Sequence, residues 1–332
     1  IGGFPLTPIA ATPSKPTRGE YYLSLVLIVA AVLFWGFSFI STKIILAEVP
    51  PASIAFFRQI ISVTTLLAWV IANLARGGRA QLARATWRDL GLVAASGLFG
   101  IVLYFVFENN GIRYTTASNA SMIVSAVPIF TLFTEALFFK LRITGRLVGC
   151  LILSMVGVYF VVTSGGRLDF SSANTYGNLL MMGAMVCWVA YTIINKKLTD
   201  KYSSLLLTFL QAFFSLFLFL PFILAEIRRW RIPTTVPLLH LLYLGVCCSA
   251  LGYIFYVYAV KRLGATVSSA FLNLVPVVTV ICGYFVLGER VTRVQLTGML
   301  LITISLYVVS MPGAGRRLLG LVRKAGVEGQ AG

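Results

Sequence analysis

Residues 35 to 43 read WGFSFISTK and residues 188 to 196 read WVAYTIINK. In both stretches a tryptophan precedes a lysine by eight positions, and the two lie 153 residues apart. The same offset sets Phe57 and Arg58 on Leu210 and Gln211. A second alignment, at 148 residues, sets Arg113 on Lys261, Ala117 on Ala265, Pro128 on Pro276 and Tyr159 on Tyr307. The unit repeated is thus about 150 residues long, well beyond the ~20 to 50 residues of a solenoid repeat.

Composition places this unit in a bilayer. Apolar residues make up 58% and charged residues 11%, against roughly 25% charged in ordinary globular chains, and the mean hydropathy is +0.91. Cutting the chain at its charges leaves ten long charge-free runs: 21–42, 59–75, 90–107, 114–134, 147–166, 170–195, 202–225, 232–260, 263–288 and 294–315. With a flanking turn where needed, each supplies the ~20 residues of a helix that crosses the hydrocarbon core. The expected fold is an all-α membrane protein of ten transmembrane helices, five in repeat 21–166 and five in repeat 167–315. A unit with an odd number of spans ends on the side opposite to its start. Its second copy inserts upside down, which predicts a 5+5 inverted-topology repeat with the substrate near the midplane between the halves.

Residues 1–20, rich in proline and threonine and opening on Ile1, are expected to be a trimmed, disordered cytoplasmic tail. They do not read as a signal peptide. Residues 316–332 read as a basic cytoplasmic tail. Lysine and arginine in the loops set the orientation. With the N-terminus inside, the inner loops hold Arg76, Arg79, Arg84 and Arg88, then Lys140, Arg142 and Arg146. The cluster Arg228, Arg229 and Arg231 falls outside, against the trend. Both termini are predicted cytoplasmic in a bacterial inner membrane, and the net charge of +17 is accounted for by topology without nucleic acid.

Cys150, Cys187, Cys247, Cys248 and Cys282 all lie in apolar runs and read as small packing residues. No Cys or His pair has metal-ligand spacing, and the single histidine, His240, reads as interfacial. No metal, cofactor or ATP site is expected, since no G-x-x-x-x-G-K-[ST] occurs. An intramembrane enzyme is disfavoured for want of a nucleophile and base or paired buried carboxylates.

Each half also has a stripe of small residues that allows close helix packing. One runs Ala117, Ser121, Ser125, the other Ala265, Ser269, Asn273. Pro128 and Pro276 follow at matching places and are candidate hinges or plain packing kinks.

Ionisable residues inside spans are costly, and mark function or a structural pair. Arg58, Glu108 and Glu135 qualify, with Lys43 nearby at the end of the first span. The repeat maps Arg58 to Gln211, Glu108 to Tyr256 and Glu135 to Gly283. One copy therefore has both the cation and the anion and the other has neither, which suits a mutually compensating Arg58–Glu108 pair. Glu108 reads as that structural partner, as simply interfacial, or as a site for a cationic group or a coupling proton. Glu135, near Lys140 and Arg142, is expected to make an inner salt bridge. Trp35, Ser38 and Thr42 share one helix face, with counterparts Trp188, Tyr191 and Asn195, and Tyr253 and Tyr256 add aromatic surface. Rings mixed with hydroxyl and amide groups suit an amphipathic metabolite.

The pattern resembles the EamA-type branch of the drug/metabolite transporter superfamily over residues 22–311. The resemblance is carried by Trp35 to Lys43, by Arg58, by YTTASNASMI from Tyr114 with Pro128 after it, and by LGERV at Leu287 to Val291. Phe139, Lys140, Leu141 and Arg142 replace the glycine and glutamate turn that the family leads one to expect. The resemblance implies a ten-helix inverted repeat and movement of small organic solutes, often outward. The expected function is secondary transport of an amino acid or related amine by alternating access, in a monomer or homodimer. The alternatives are a carrier for quaternary ammonium or polyamine cations and a lipid-headgroup flippase.

Overall fold

The computed structural model describes residues 17–73, 85–114, 120, 123–139, 143–163, 172–230, 232–287 and 291–310, and among these the only regular structure is helix. The elements are α1 (Arg18–Ile45), α2 (Pro51–Asn73), α3 (Trp87–Tyr114), α4 (Val127–Phe139), α5 (Gly145–Thr163), α6 (Ser172–Leu198), α7 (Ser204–Leu218), α8 (Thr235–Leu263), α9 (Ala265–Leu287) and α10 (Arg293–Ser310). After a 48° bend, α7 continues as Leu220–Arg229. Among the described residues six helices are long and apolar enough to cross a membrane, or seven if the bent α7 is one span. The apolar stretches Val127–Phe139, Gly145–Phe160 and Arg293–Val308 are shorter. By length alone the structure therefore gives six or seven of the ten expected spans.

The ends of the helices follow local chemistry. α1 begins at Arg18, inside the stretch assigned above to a disordered tail, because Thr17 and Glu20 cap it reciprocally: Glu20 N donates to Thr17 Oγ1 at 3.3 Å and Thr17 N to Glu20 Oε2 at 3.0 Å. Thr86 and Asp89 form the same box at the start of α3. At α2 the acid comes from elsewhere. Glu226 accepts from the backbone N–H groups of Ala52 at 3.1 Å and Ser53 at 2.8 Å, satisfying donors a helix N-terminus leaves open.

Both expected proline sites coincide with helix breaks. A turn at Ser125–Ala126 precedes Val127 and Pro128, and a 3-10 turn at Phe271–Leu274 precedes Val275 and Pro276. Proline lacks the N–H that would continue the ladder, and its ring crowds the carbonyl four residues back. Of the small-residue stripes, Ala117 and Ser121 lie outside the described residues, whereas Ala265, Ser269 and Asn273 are buried.

Contacts between the halves recur with the halves exchanged. A Cβ on Gly157 would stand 2.7 Å from the Gly298 carbonyl oxygen, while Ser305 Oγ donates to the Cys150 carbonyl at 2.6 Å. The 148-residue offset turns the first pair into the second. Likewise Gly97 abuts the Gln211 carbonyl and Gly245 the Arg58 carbonyl, at 2.9 and 3.2 Å from a built Cβ. Mutual exchange of this kind is what a two-fold arrangement of like units produces.

Candidate functional site

Two π-helical segments build the centre, Leu98–Leu103 in α3 and Leu244–Gly252 in α8. The wider π turn displaces backbone carbonyls from the α ladder and is common at functional sites. Here each segment offers one carbonyl to an aromatic side chain of the other half. Trp35 Nε1 donates to the Cys248 carbonyl at 3.1 Å, and Tyr253 OH donates to the Gly100 carbonyl at 2.8 Å. Gly100 and Cys248 are themselves 148 residues apart.

These rings border a cavity of about 30 Å³ lined by Trp35, Ser38, Phe39, Arg58, Tyr104, Phe105, Glu108, Val124, Trp188, Tyr253, Leu272 and Val275. That is room for about two waters. Trp35 and Trp188 meet edge to face at 5.3 Å, and Trp188 lies 5.0 Å from Tyr104 and 5.7 Å from Tyr253. The proline breaks supply Val124 on one side and Leu272 and Val275 on the other.

Two opposite charges face this space. Arg58 is 2% exposed, donates from Nε to Ser249 Oγ at 2.8 Å, and sets its guanidinium 4.1 Å from the Phe105 ring centroid, a cation–π distance. Glu108 is 7% exposed and accepts from Tyr104 OH at 2.7 Å. Both line the cavity, yet no ion pair within 4.0 Å joins them. The two charges still act on each other across the cavity, but each hydrogen-bonds to a neutral partner rather than to the other. Their symmetry counterparts are used differently. Gln211 Nε2 donates to Ser96 Oγ and Asn195 Oδ1, both at 2.7 Å. Tyr256 OH accepts from Trp188 Nε1 at 3.2 Å and shares a hydrogen bond with Thr192 at 2.9 Å.

Of the residues expected to bind substrate, the structure brings Trp35, Ser38, Trp188 and Tyr253 to the cavity wall. Thr42, Tyr191, Asn195 and Tyr256 are buried but stand behind it. Tyr191 and Tyr256 stack on each other and back the Trp188 ring. Of the charged candidates, Lys43 is exposed. Glu135 does not reach the cavity either. It pairs with Lys196 and accepts from the Thr266 hydroxyl and, at 2.7 Å, from the Thr266 N–H, tying α4 to α6 and α9. Its expected neighbours Lys140 and Arg142 lie outside the described residues. His240 is half-buried against Ser41 at 3.1 Å.

Tyr104, Phe105 and Ser249 were not singled out from sequence. Tyr104 precedes Glu108 by four residues, a spacing that places both on one helix face and could have found it. Ser249 reaches Arg58 only because the π segment brings it there, and no sequence signal marks it.

The fold is that of a multi-pass membrane protein built around an aromatic cavity. The chain belongs to the EamA-like transporter family, whose profile matches it twice, over residues 22–163 and 175–311. It is 32% identical over 284 residues to an uncharacterized transporter of Archaeoglobus fulgidus, covering 86% of this chain and 97% of that one. It is 25% identical over 270 residues to a probable terminal-alkyne amino-acid exporter of Streptantibioticus cattleyicolor, covering 81% and 88%. A solved crystal structure shares the fold, with a TM-score of 0.70 at 19% identity over 91% of this chain and 99% of that one. The protein is a transporter of the drug/metabolite type rather than an enzyme.

Proposed function

We propose that the protein carries a small zwitterionic metabolite, an amino acid or a related amine, across the bacterial inner membrane by alternating access, with export as its direction. One observation carries this reading: Arg58 and Glu108 line the same aromatic cavity without an ion pair between them. A carboxylate and an ammonium on one small solute would satisfy both, and burying the two charges without such a partner is costly. Trp35, Trp188 and Tyr253 supply apolar contact for the rest of the solute. The exporter among the relatives agrees in substrate class.

The architecture we infer is ten spans in two inverted repeats, 21–166 and 167–315, with both termini cytoplasmic. The double family match and the exchanged contacts support it. A cavity of about 30 Å³ must open for any solute to enter, and rocking of the halves about the α5–α10 contact, with Pro128 and Pro276 as hinges, would open it to one side at a time. A proton on Glu108 is the coupling ion that fits this site.

The test is flux of labelled neutral amino acids and quaternary amines in proteoliposomes, with and without a pH gradient, for the wild type and Glu108→Gln. Amino-acid flux that falls about tenfold or more in the variant, the effect of losing about 1.4 kcal/mol, supports the reading. Amine flux without amino-acid flux would instead mark a quaternary ammonium or polyamine carrier. Lipid scrambling without any solute flux would mark a headgroup flippase.

A further inference from the structure

The exchanged contacts extend to both ends of the helix bundle. Glu48, in the turn after α1, accepts from the Thr234 N–H at 2.7 Å through Oε2 and from the Thr234 hydroxyl at 2.6 Å through Oε1. Lys201, in the turn after α6, lies 2.8 Å from Asp89 Oδ1, and the neighbouring Tyr202 OH donates to Asp89 Oδ2 at 3.2 Å. Glu48 and Lys201 are 153 residues apart, Thr234 and the Thr86 that caps α3 are 148 apart, and each contact joins one repeat to the other.

The two contacts sit at opposite ends. α1 and α8 run antiparallel, with Glu20 on Arg262 at one end, Trp35 on Cys248 midway and Glu48 on Thr234 at the other. α3 and α6 are also antiparallel, from Asp89 on Lys201 to the packing of Gly111 against Met181. Glu135, bound to both Lys196 and Thr266, brings the Lys201 end of α6 beside the Arg262 end of α8. The Lys201–Asp89 contact therefore closes the end opposite to Glu48–Thr234.

The geometry points to these contacts as two equivalent latches, Glu48 on Thr234 and Lys201 on Asp89, that close opposite ends of the carrier and are released in turn during transport. The inference rests on the alternating-access reading above.

Their chemistry differs for a physical reason. A helix N-terminus favours a negative charge and disfavours a positive one. Where the turn offers Glu48, it binds the start of α8 directly, and Thr234 gives its hydroxyl to Glu48 instead of capping its own helix. Where the turn offers Lys201, the helix needs an acid of its own, which is Asp89, held by Thr86 through Oγ1 at 2.9 Å. The position equivalent to Asp89 in α8 is Pro237. One latch is thus a carboxylate on a helix end and the other is an ion pair.

Hydrogen exchange of the full chain in detergent, read by mass spectrometry, tests this without a substrate. Glu48→Gln should speed exchange around Thr234 about tenfold, the effect of weakening one charge-assisted contact, and slow exchange around Asp89 and Tyr202. Lys201→Gln, at a side chain 59% exposed and so safe for folding, should do the reverse, and Lys201→Arg should match the wild type. Loosening confined to the mutated end, with the far end unchanged in both glutamine variants, would overturn the proposal. Reciprocal exchange without amino-acid flux in the wild type would leave the latches standing and remove the zwitterion reading. Intact flux without reciprocity would do the opposite.

Discussion

The indole N–H of Trp35 donates to the carbonyl of Cys248 at 3.1 Å, across the boundary between the two repeats. Tyr253 donates at 2.8 Å to Gly100, the counterpart of Cys248 in the first repeat. The aromatic cavity is therefore pinned by one hydrogen bond from each half onto the π segment of the other. Trp35→Phe and Tyr253→Phe keep a ring but strand a buried carbonyl, so each should lower stability by about 1 to 3 kcal/mol. The two rings stand 5.9 Å apart, so the losses should be non-additive in a double-mutant cycle. Thermal unfolding in detergent measures both effects, and simple additivity would mean that the halves are pinned independently.

Glycine positions divide sharply by what surrounds them. A Cβ on Gly100 would stand 2.0 Å from the Tyr191 ring, whereas one on Gly91 meets nothing within 4 Å. Gly100→Ala should displace the ring that backs Trp188, at about 1 to 3 kcal/mol or more for overpacking. Gly91→Ala should stabilise by up to about 1 kcal/mol through helix propensity. Folded yield and melting temperature of the two variants, made side by side, check the contrast; a tolerated Gly100→Ala would contradict this packing.

Much of this arrangement was legible in the chain itself. The paired stretches at Trp35 and Trp188 revealed the duplication, and the charge-free runs revealed the bilayer. What stayed hidden has physical causes. Periodicity at 3.6 residues places Thr42 on the face of Trp35 and Ser38, but a cavity this tight touches only part of that face. Sequence spacing assumes regular α-helix, so it does not foresee the π segments that bring Ser249 to Arg58 and carbonyls to the rings. Glu135 was read with its sequence neighbours, while its partners Lys196 and Thr266 come from the other repeat. The repeat singled out Arg58 and Glu108 by their uncharged counterparts, but it has no signal for the groups that hydrogen-bond them, Ser249 and Tyr104.

Glu135 joins three helices through a buried carboxylate, 3% exposed at its side chain. Glu135→Gln keeps its shape and removes its charge, leaving Lys196 without its ion pair. The expected loss is on the order of 1.5 to 3 kcal/mol, the range for hydrogen bonds to charged groups. Lys196→Met should cost a similar amount by stranding the carboxylate. The double variant should recover part of the loss, since neither charge is then left alone. Melting curves of the three proteins decide it; a double variant as unstable as the sum would show that Glu135 acts mainly through Thr266.

Acid should weaken one end of the molecule before global unfolding. The Thr234 hydroxyl, and then its N–H, hold the Glu48 carboxyl below its ordinary value of 4.5. A group with a depressed pKa contributes its stabilisation above its ordinary pKa and loses it as pH falls through the lowered value. Exchange protection at Thr234 should therefore be constant from neutral pH down to about 4.5 and decline below it. Glu48→Gln should show no such decline. A pH-independent Thr234 amide in the wild type would contradict the contact.

Arg58 owes its position to two neutral partners, the Ser249 hydroxyl on Nε and the Phe105 ring beneath its guanidinium plane. Lysine offers a point charge without the planar fork, so Arg58→Lys is not a conservative change here. It should keep the protein folded, because the positive charge stays in the cavity, yet raise KM for a zwitterionic solute by about tenfold, a weakening of about 1.4 kcal/mol. Ser249→Ala tests the same geometry from the other side. It keeps the guanidinium intact and removes only its anchor, so KM should rise with little change in the maximal rate, and Ser249→Thr, which restores a hydroxyl, should recover much of the loss. Flux measured across a substrate series separates the cases: if Arg58 holds the carboxylate, amines without a carboxylate should be indifferent to Ser249→Ala, while amino acids should not.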